Sequence, residues 1–216
     1  MRSLDKDLRG WIPYLHTEAS IKNLMTSLRA ITELQNPALR DRHWSELAYE
    51  TKVRIDITEN TTLSDLVELN LHLFEEQIKE IVDKSVKESA MEKTLLDLNS
   101  TWKDMAFNHD THARTGRTIL KVEEETIEIL EDHQVQLQNM LSSKYIRHFL
   151  DEVTYWQMLL SNTDGVISAW LEVQRKWMYL ESIFIGSKDI REQLPEDSKR
   201  FDKIDAEFKV SALSYT

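Results

Sequence analysis

The sequence predicts a mainly α fold, an elongated array of packed helices forming small helical bundles, with one β-hairpin. Three observations lead there. Gly and Pro, at four and three of 216 residues, are too scarce for the turns that sandwiches, propellers and Gly-dependent nucleotide folds need. Apolar residues recur at steps of three and four along most of the chain, the spacing that places them on one face of a helix. A single stretch around Gly116 breaks that period.

Residues 17–35 align Ile21, Leu24, Met25, Leu28, Ile31 and Leu34 as one apolar stripe, so an amphipathic helix is expected there, stopped by Pro37. Pro37 then fits the first turn of a second helix, where its missing N–H costs nothing. That helix reaches about Thr51 with Leu39, Trp44, Leu47 and Ala48 as its apolar set. Residues 53–61 read as extended or looped. Thr62, with Asp65 three residues on, caps a helix over 63–71. Phe74, Ile78, Ile81, Val82 and Val86 begin a longer one, whose second half keeps Met91, Leu95, Leu98, Trp102 and Met105 on one face.

Residues 107–122 lose the helical period and set Thr111, Thr115, Thr118 and Ile119 around Arg114-Thr115-Gly116-Arg117. A β-hairpin is expected, with Gly116 supplying a positive φ at the turn. Glu123, Glu124 and Glu125 open the next helix, where acids favour the positive end of the dipole. Its stripe is Ile127, Leu130, Leu137 and Leu141, interrupted by the polar Gln134. The strongest pattern follows: Ile146, Phe149, Val153, Trp156, Leu160, Thr163, Ile167, Trp170, Gln174, Trp177, Glu181 and Phe184 alternate strictly by three and four. Leu150, Leu159, Val166, Leu171, Met178 and Leu180 populate neighbouring faces, so this helix is expected to pack on more than one side. Gly165, after Asn162 and Asp164, is a position for a kink. Gly186 ends the run, Leu194-Pro195 marks the next boundary, and Phe201, Ile204, Ala206 and Phe208 belong to a last helix. The chain thus reads as an N-terminal helical part over 1–106, a hairpin insert over 107–122 and a C-terminal helical part over 123–216.

Composition also excludes function classes. With 27 Lys and Arg against 38 Asp and Glu, the formal charge of -11 repels a phosphate backbone or an anionic membrane, so neither nucleic acid nor membrane is an expected partner. The absence of Cys removes disulfide frameworks, zinc fingers, iron–sulfur clusters and thiol catalysis together. The first fifteen residues hold Asp5 and Asp7 and no leader-like apolar core, and a soluble, intracellular chain is expected. Four scattered glycines build no phosphate cradle. His109 and His112 lie three apart, which in a strand sends them to opposite faces and away from a shared metal. Glu124, Glu128, Glu131 and Asp132 share a helical face but lack the His partners of a di-iron or zinc site. His133 reads as a surface or boundary residue, and the six Trp, at helical spacing, as core rivets. No catalytic, cofactor or metal residues are expected.

Longer strings carry a resemblance. The stretch from Trp170-Leu-Glu-Val-Gln-Arg-Lys-Trp177 to Phe184, then Ser187-Lys-Asp-Ile-Arg-Glu-Gln-Leu-Pro195 and Ser198-Lys-Arg-Phe201, resembles the linker region of dynein heavy chains. Leu130-Glu-Asp-His-Gln-Val-Gln-Leu-Gln138, Ser143-Lys-Tyr145, Met91-Glu-Lys to Trp102, Arg42-His-Trp44 and Gly10-Trp-Ile-Pro-Tyr-Leu are similar to the same family in the same order. With Leu15-His-Thr-Glu-Ala-Ser20, the wording is most similar to axonemal outer-arm heavy chains of the β type.

The resemblance implies the N-terminal part of a linker: a helical lever that bends over an AAA+ ring and passes an ATP-driven power stroke to the tail of a microtubule motor. It implies a parent chain that binds ATP and Mg in that ring, located in the cytoplasm and cytoskeleton, in the axoneme of a cilium or flagellum. Expected partners are the ring of the same heavy chain and the tail and arm subunits. A static helical scaffold or tail module docking other arm subunits is the alternative. Within the chain, the hairpin residues His112, Arg114, Gly116 and Arg117 are the candidate docking feature. Ser142, Ser143, Asn162 and Gly165 are the candidate hinge, because short polar side chains and a missing Cβ weaken helical backbone there. Lacking a P-loop, this chain is expected to give a flat calorimetric titration with Mg-ATP, whereas saturable micromolar binding would contradict the linker reading.

Overall fold

The computed structural model describes residues 9–53 and 61–213. These are mainly helical with a single two-stranded hairpin, as the periodicity requires, and divide into two compact units, residues 1–94 and 95–216. Among the described residues no helix is long and apolar enough to cross a membrane.

In the first unit, α1 spans Ile12–Glu33, earlier than the apolar pattern suggests, because Pro13 serves its first turn. Its orientation corrects the sequence reading. Ser27, Ala30 and Leu34 are the buried positions, whereas Ile21, Leu24, Met25 and Leu28 lie exposed. Small Ser27 and Ala30 allow close approach of the 3₁₀ turn Leu71–Phe74. The His72 N–H donates to Ser27 Oγ at 3.2 Å there. Trp11 is 64% exposed rather than a core rivet among the described residues.

Helix α2 covers Asp41–Thr51 and does not include Pro37. The Ala38 N–H donates to Asn36 Oδ1 and the Leu39 N–H to Asn36 O, and these bonds hold Pro37 in a turn instead. Lys52, at φ 57, ends the helix. The loop expected over 53–61 falls mostly outside the described residues. The Thr62–Asp65 capping box opens α3, Leu63–Glu68, as its spacing implies. Hydrogen bonds from Thr62 hold the Asp65 carboxyl below its usual range. Helix α3 stops three residues short of the expected end, at a left-handed Asn70.

Helix α4, Glu75–Asp104, runs 30 residues without a break. Ile78, Ile81, Ser85, Glu88, Met91, Leu95 and Leu98 form its buried row. Ala30, Leu34, Leu47, Leu71, Ile78 and Ile81 make the core of the first unit. Two polar groups sit in that row, and Glu88 is the more demanding. It accepts from Arg42 Nε at 2.7 Å and from His43 Nε2 at 3.1 Å. The Arg40 N–H donates to His43 Nδ1 at 3.0 Å, so one imidazole ties the N-cap of α2 to α4.

The second unit holds β1, Asn108–Thr111, and β2, Thr118–Lys121, antiparallel with Asn108 opposite Lys121 and Thr111 opposite Thr118. Helices α5, Glu124–Leu141, and α6, Leu150–Phe184, pack most extensively. Helices α7, Lys188–Gln193, and α8, Pro195–Leu213, then fold back on α6. The long alternating pattern is the buried row of α6: Val153, Leu160, Ile167, Gln174, Trp177, Glu181 and Phe184. Trp177, 1% exposed, stacks on Phe208 with centroids 4.3 Å apart. His133 corrects a second expectation. It is buried in the α5 row and accepts from Trp102 Nε1 at 2.9 Å.

The His43 geometry sets a pH dependence. Burial is the largest influence on its imidazole and holds it below its ordinary value of 6.5, against the pull of Glu88, with Arg42 and Lys84 adding to the lowering. An unfolded His43 takes up a proton below about pH 6.5 that the folded one refuses, so the unfolded state then binds more protons. Stability is full above that pH and falls beneath it, by up to about 1.4 kcal/mol per unit, until the folded group titrates. Urea unfolding of the first unit is expected to show a lower midpoint at about pH 5.5 than at about pH 7, the difference shrinking in His43→Gln. Equal midpoints would contradict a buried neutral imidazole.

Candidate functional site

The hairpin residues singled out by sequence lie against α6 and α8. The Gly116 N–H donates to His112 O at 2.9 Å, and the His112 N–H donates to Arg117 O at 2.7 Å. Gly116 sits at φ 67, the left-handed conformation that favours Gly. The turn therefore closes just beyond Thr111 and aims His112 and Arg114 at one helix.

Glu181 receives them. Its side chain is 0% exposed, Arg114 Nη2 pairs with its Oε2, and His112 Nε2 stands 4.0 Å from the same oxygen. Oε1 is buried without a hydrogen-bond partner among the described residues. The His112 ring meets Trp177 edge-on at 5.3 Å and is hydrogen-bonded through Nδ1 to Thr115 Oγ1 at 2.9 Å. Arg114 crosses the end of α6 so closely that a Cβ on Gly186 would come within 2.7 Å of its Nη1, and its charge suits the negative end of the helix dipole. Higher on the hairpin, the Leu120 N–H donates to Gln174 Oε1 at 2.8 Å, and Gln174 Nε2 donates to Leu120 O at 2.9 Å. A side-chain amide of α6 thus continues the ladder on the outer edge of β2. On the far side of α6's row, Trp177 Nε1 donates to Asp205 Oδ1 at 3.1 Å, and Lys209 pairs with that carboxylate.

Sequence reasoning placed Gln174 and Glu181 in the alternating row without recognising what they do. The signal was present, since a polar residue at a seam position requires a partner from elsewhere. Of the four hairpin residues, His112 and Arg114 make the contacts, Gly116 makes the turn, and Arg117 takes part through its carbonyl. Asn162 and Thr163 line an apolar cleft of about 530 Å3, whose opposite wall includes Phe107, His109 and Leu120. Helix α6 runs unbroken through Gly165. At this level its backbone carries extra load: Thr163 Oγ1 donates to Leu159 O at 2.9 Å, and Gln134 Nε2 to Leu160 O at 3.3 Å. The Gln134 that interrupts the α5 stripe thereby finds its partner. Ser142 caps α5, and Ser143 bridges to the 3₁₀ turn Ile146–His148. Among the described residues no group of three His, Asp or Glu side chains is placed to hold a metal ion.

Comparison with known proteins adds the family. A model described as dynein heavy chain, N-terminal region 2, matches residues 1–214. Dynein beta chain, ciliary, of Heliocidaris crassispina is 60% identical over 209 residues, which cover 97% of this chain and 5% of that protein. Dynein axonemal heavy chain 17 of Mus musculus is 58% identical over 209 residues with the same two coverages. Dynein alpha chain, flagellar outer arm, of Chlamydomonas reinhardtii is 39% identical over 210 residues, again 97% and 5%. The chain spans about one-twentieth of the length of these relatives.

If the hairpin is held by its ion pair, removing the cation strands a buried carboxylate. Arg114→Ala is expected to destabilise the second unit by about 2–4 kcal/mol in urea unfolding followed by Trp fluorescence. Arg117→Ala should cost under about 0.5 kcal/mol, the usual scale for surface replacements. Equal small losses for both would show that the hairpin is not tied down through Glu181.

Proposed function

The chain belongs to the axonemal dynein heavy chains, as part of their N-terminal region 2, and on that premise we propose that it is the beginning of the linker, a lever that transmits an ATP-driven power stroke. In this reading the parent heavy chain is a microtubule motor of the cilium or flagellum, working in the cytoskeleton of the axoneme. ATP and Mg act in its AAA+ ring, and these residues do no chemistry. Partners are that ring and the tail and arm subunits.

The observation that carries the reading is α6. Thirty-five residues form one unbroken helix, about 50 Å long at the standard rise, and its buried row is covered in turn by α5, the hairpin and α8. A strut buttressed along its length resists bending, because opening any one turn means losing several packed contacts at once. The hairpin, with His112, Arg114, Gly116 and Arg117, serves as the docking feature, locked to α6 so that a push on it is passed to the helix.

Compliance is concentrated at Ser142 and Ser143 and at Asn162 to Gly165. Gly165 has open space around its Cα, and the carbonyls of Leu159 and Leu160 are shared with side chains, an arrangement associated with helix bending. The division into a helical part over 1–106, the hairpin over 107–122 and a helical part over 123–216 describes the functional pieces of this lever. The alternative, a static scaffold docking arm subunits, requires the same stiffness but no hinge.

Several measurements separate them. In the full-length heavy chain, fluorophores placed on exposed Lys203 of α8 and on the ring should change transfer efficiency with the nucleotide cycle; constant transfer would favour the scaffold. In the 216-residue chain, amides at Asn162 to Gly165 should exchange faster than those at Leu95 to Trp102. Gly165→Ala should stabilise the chain by about 0.5–1 kcal/mol while slowing microtubule gliding by the motor. Slow exchange through Asn162 to Gly165 with unaltered gliding would remove the hinge.

A further inference from the structure

Helix α6 carries a second row that lies exposed among the described residues. Tyr155, Leu159, Asn162, Val166, Ala169 and Val173 follow one another at steps of four, three, four, three and four, the register of a helix-packing seam. The sequence leads one to expect α6 to be packed on this side too, yet Tyr155 is 55% and Val166 65% exposed. None of the six is charged, as in the centre of an interface. The row opens onto the 530 Å3 cleft, where Leu159 and Val166 face Phe107 and Leu120 of the hairpin.

We propose that this row and the cleft beside it seat an amphipathic helix supplied by the heavy-chain polypeptide outside these 216 residues. The periodicity selects the shape of the occupant. A row at alternating three and four residues is matched by the side chains of another helix, whereas a strand or a compact ligand has no use for five successive helical steps. The cleft gives such a helix a socket for one large apolar anchor, with Trp170 in its lining. Exposed Ser161, Gly165 and Ser168 border the row, and small neutral neighbours let a helix backbone approach without like-charge repulsion. Asn162, the polar member, fixes the register, since its amide is satisfied only opposite another polar group.

The source of the helix follows from length. Relatives are about twenty times as long as the stretch this chain covers, and a segment of the same polypeptide competes at an effective concentration of millimolar order. The seated helix would clasp the stretch Asn162 to Gly165 and so stiffen or release α6. That consequence rests on the lever reading, whereas the docking itself does not.

The test uses the full-length heavy chain with Val166 replaced by the photo-crosslinker benzoylphenylalanine, and in separate preparations Leu159 or Val173. Irradiation and peptide mapping should place the adducts in one segment of the same polypeptide, displaced along it by helical steps as the probe moves. Adducts to a second, isotope-labelled copy, to another arm protein, to scattered positions or to solvent alone would each overturn the proposal. Amide exchange across Tyr155 to Val173 should be at least tenfold slower in the heavy chain than in the 216-residue chain, and Val166→Asp should abolish the slowing. The same substitution in the 216-residue chain should leave its melting unchanged, because the site is exposed. Equal exchange in the two chains would also overturn it. A heavy chain that shows the nucleotide-driven distance change but no adduct loses this inference and keeps the lever.

Discussion

Burial of Glu181 is the constraint around which the second unit is organised. A carboxylate in the middle of a packed helical row is tolerated only if its charge is met nearby, since an unpaired one costs several kcal/mol. The cation comes from Arg114, and it can arrive only if the chain between α4 and α5 reverses sharply and lies back along α6. The hairpin, its left-handed Gly116, the bare Gly186 beneath Arg114 and the Gln174 amide that continues the β2 ladder are all conditions for satisfying that one charge. An apolar residue at 181 would leave the hairpin with no such requirement.

The first unit solves the same problem with the same chemistry. Glu88, in the buried row of α4, is met by Arg42 and His43 of α2, much as Glu181 is met by Arg114 and His112. In each case a long helix carries the acid and a short preceding element brings an Arg with a His close by. Such groupings add little net stability over an apolar packing. What they contribute is register. A helix whose row were wholly apolar could slide by a turn against its neighbours, whereas a slide that parts Glu88 from Arg42, or Glu181 from Arg114, leaves a charge buried alone. For a piece proposed to carry load, resistance to sliding matters more than depth of the energy well.

This also explains what was and was not legible in the sequence. Helices α4 to α6 and the hairpin were readable because their periods are long and their breaks are marked by Gly116, the three acids at Glu123 to Glu125 and Ser142. Most of the α6 row was readable, polar Gln174 and Glu181 included, though Trp156, Thr163 and Trp170 are only half-buried and Ile146 lies in the 3₁₀ turn before the helix. The buried side of α1 was not, because its best apolar stripe, Ile21, Leu24, Met25 and Leu28, faces away while the small Ser27 and Ala30 make the contact. Periodicity reports that a face is apolar and is silent on what covers it. His133 and His43 were missed for a related reason: a buried imidazole is legible only with its partners in place, Arg40 and Glu88 on the two nitrogens of His43 and Trp102 on Nδ1 of His133. The candidate docking and hinge residues were chosen by local chemistry, whereas Gln174 and Glu181, visible in the row as polar members, are recognised as partners of the hairpin only in the structure.

The two exposed apolar stripes, on α1 and on α6, bear on how such a chain works. Core residues of an isolated domain and interface residues of a larger assembly obey the same rule of burial, and a sequence does not distinguish them. Relatives some twenty times longer have further chain that could cover such a stripe, and under the docking proposed above the order of covering becomes a variable. A face whose cover is permanent adds to stiffness; one whose cover comes and goes sets when the helix beneath it can bend. The row on α6 includes Asn162 and is bordered by Gly165, the stretch proposed as compliant, whereas the Glu181 cluster lies toward the other end, where Arg114 and Gln174 hold the helix from a second direction. In the lever proposed above, stiffness at one end and a coverable stretch in the middle would serve a single helix without any break in its hydrogen-bonded backbone.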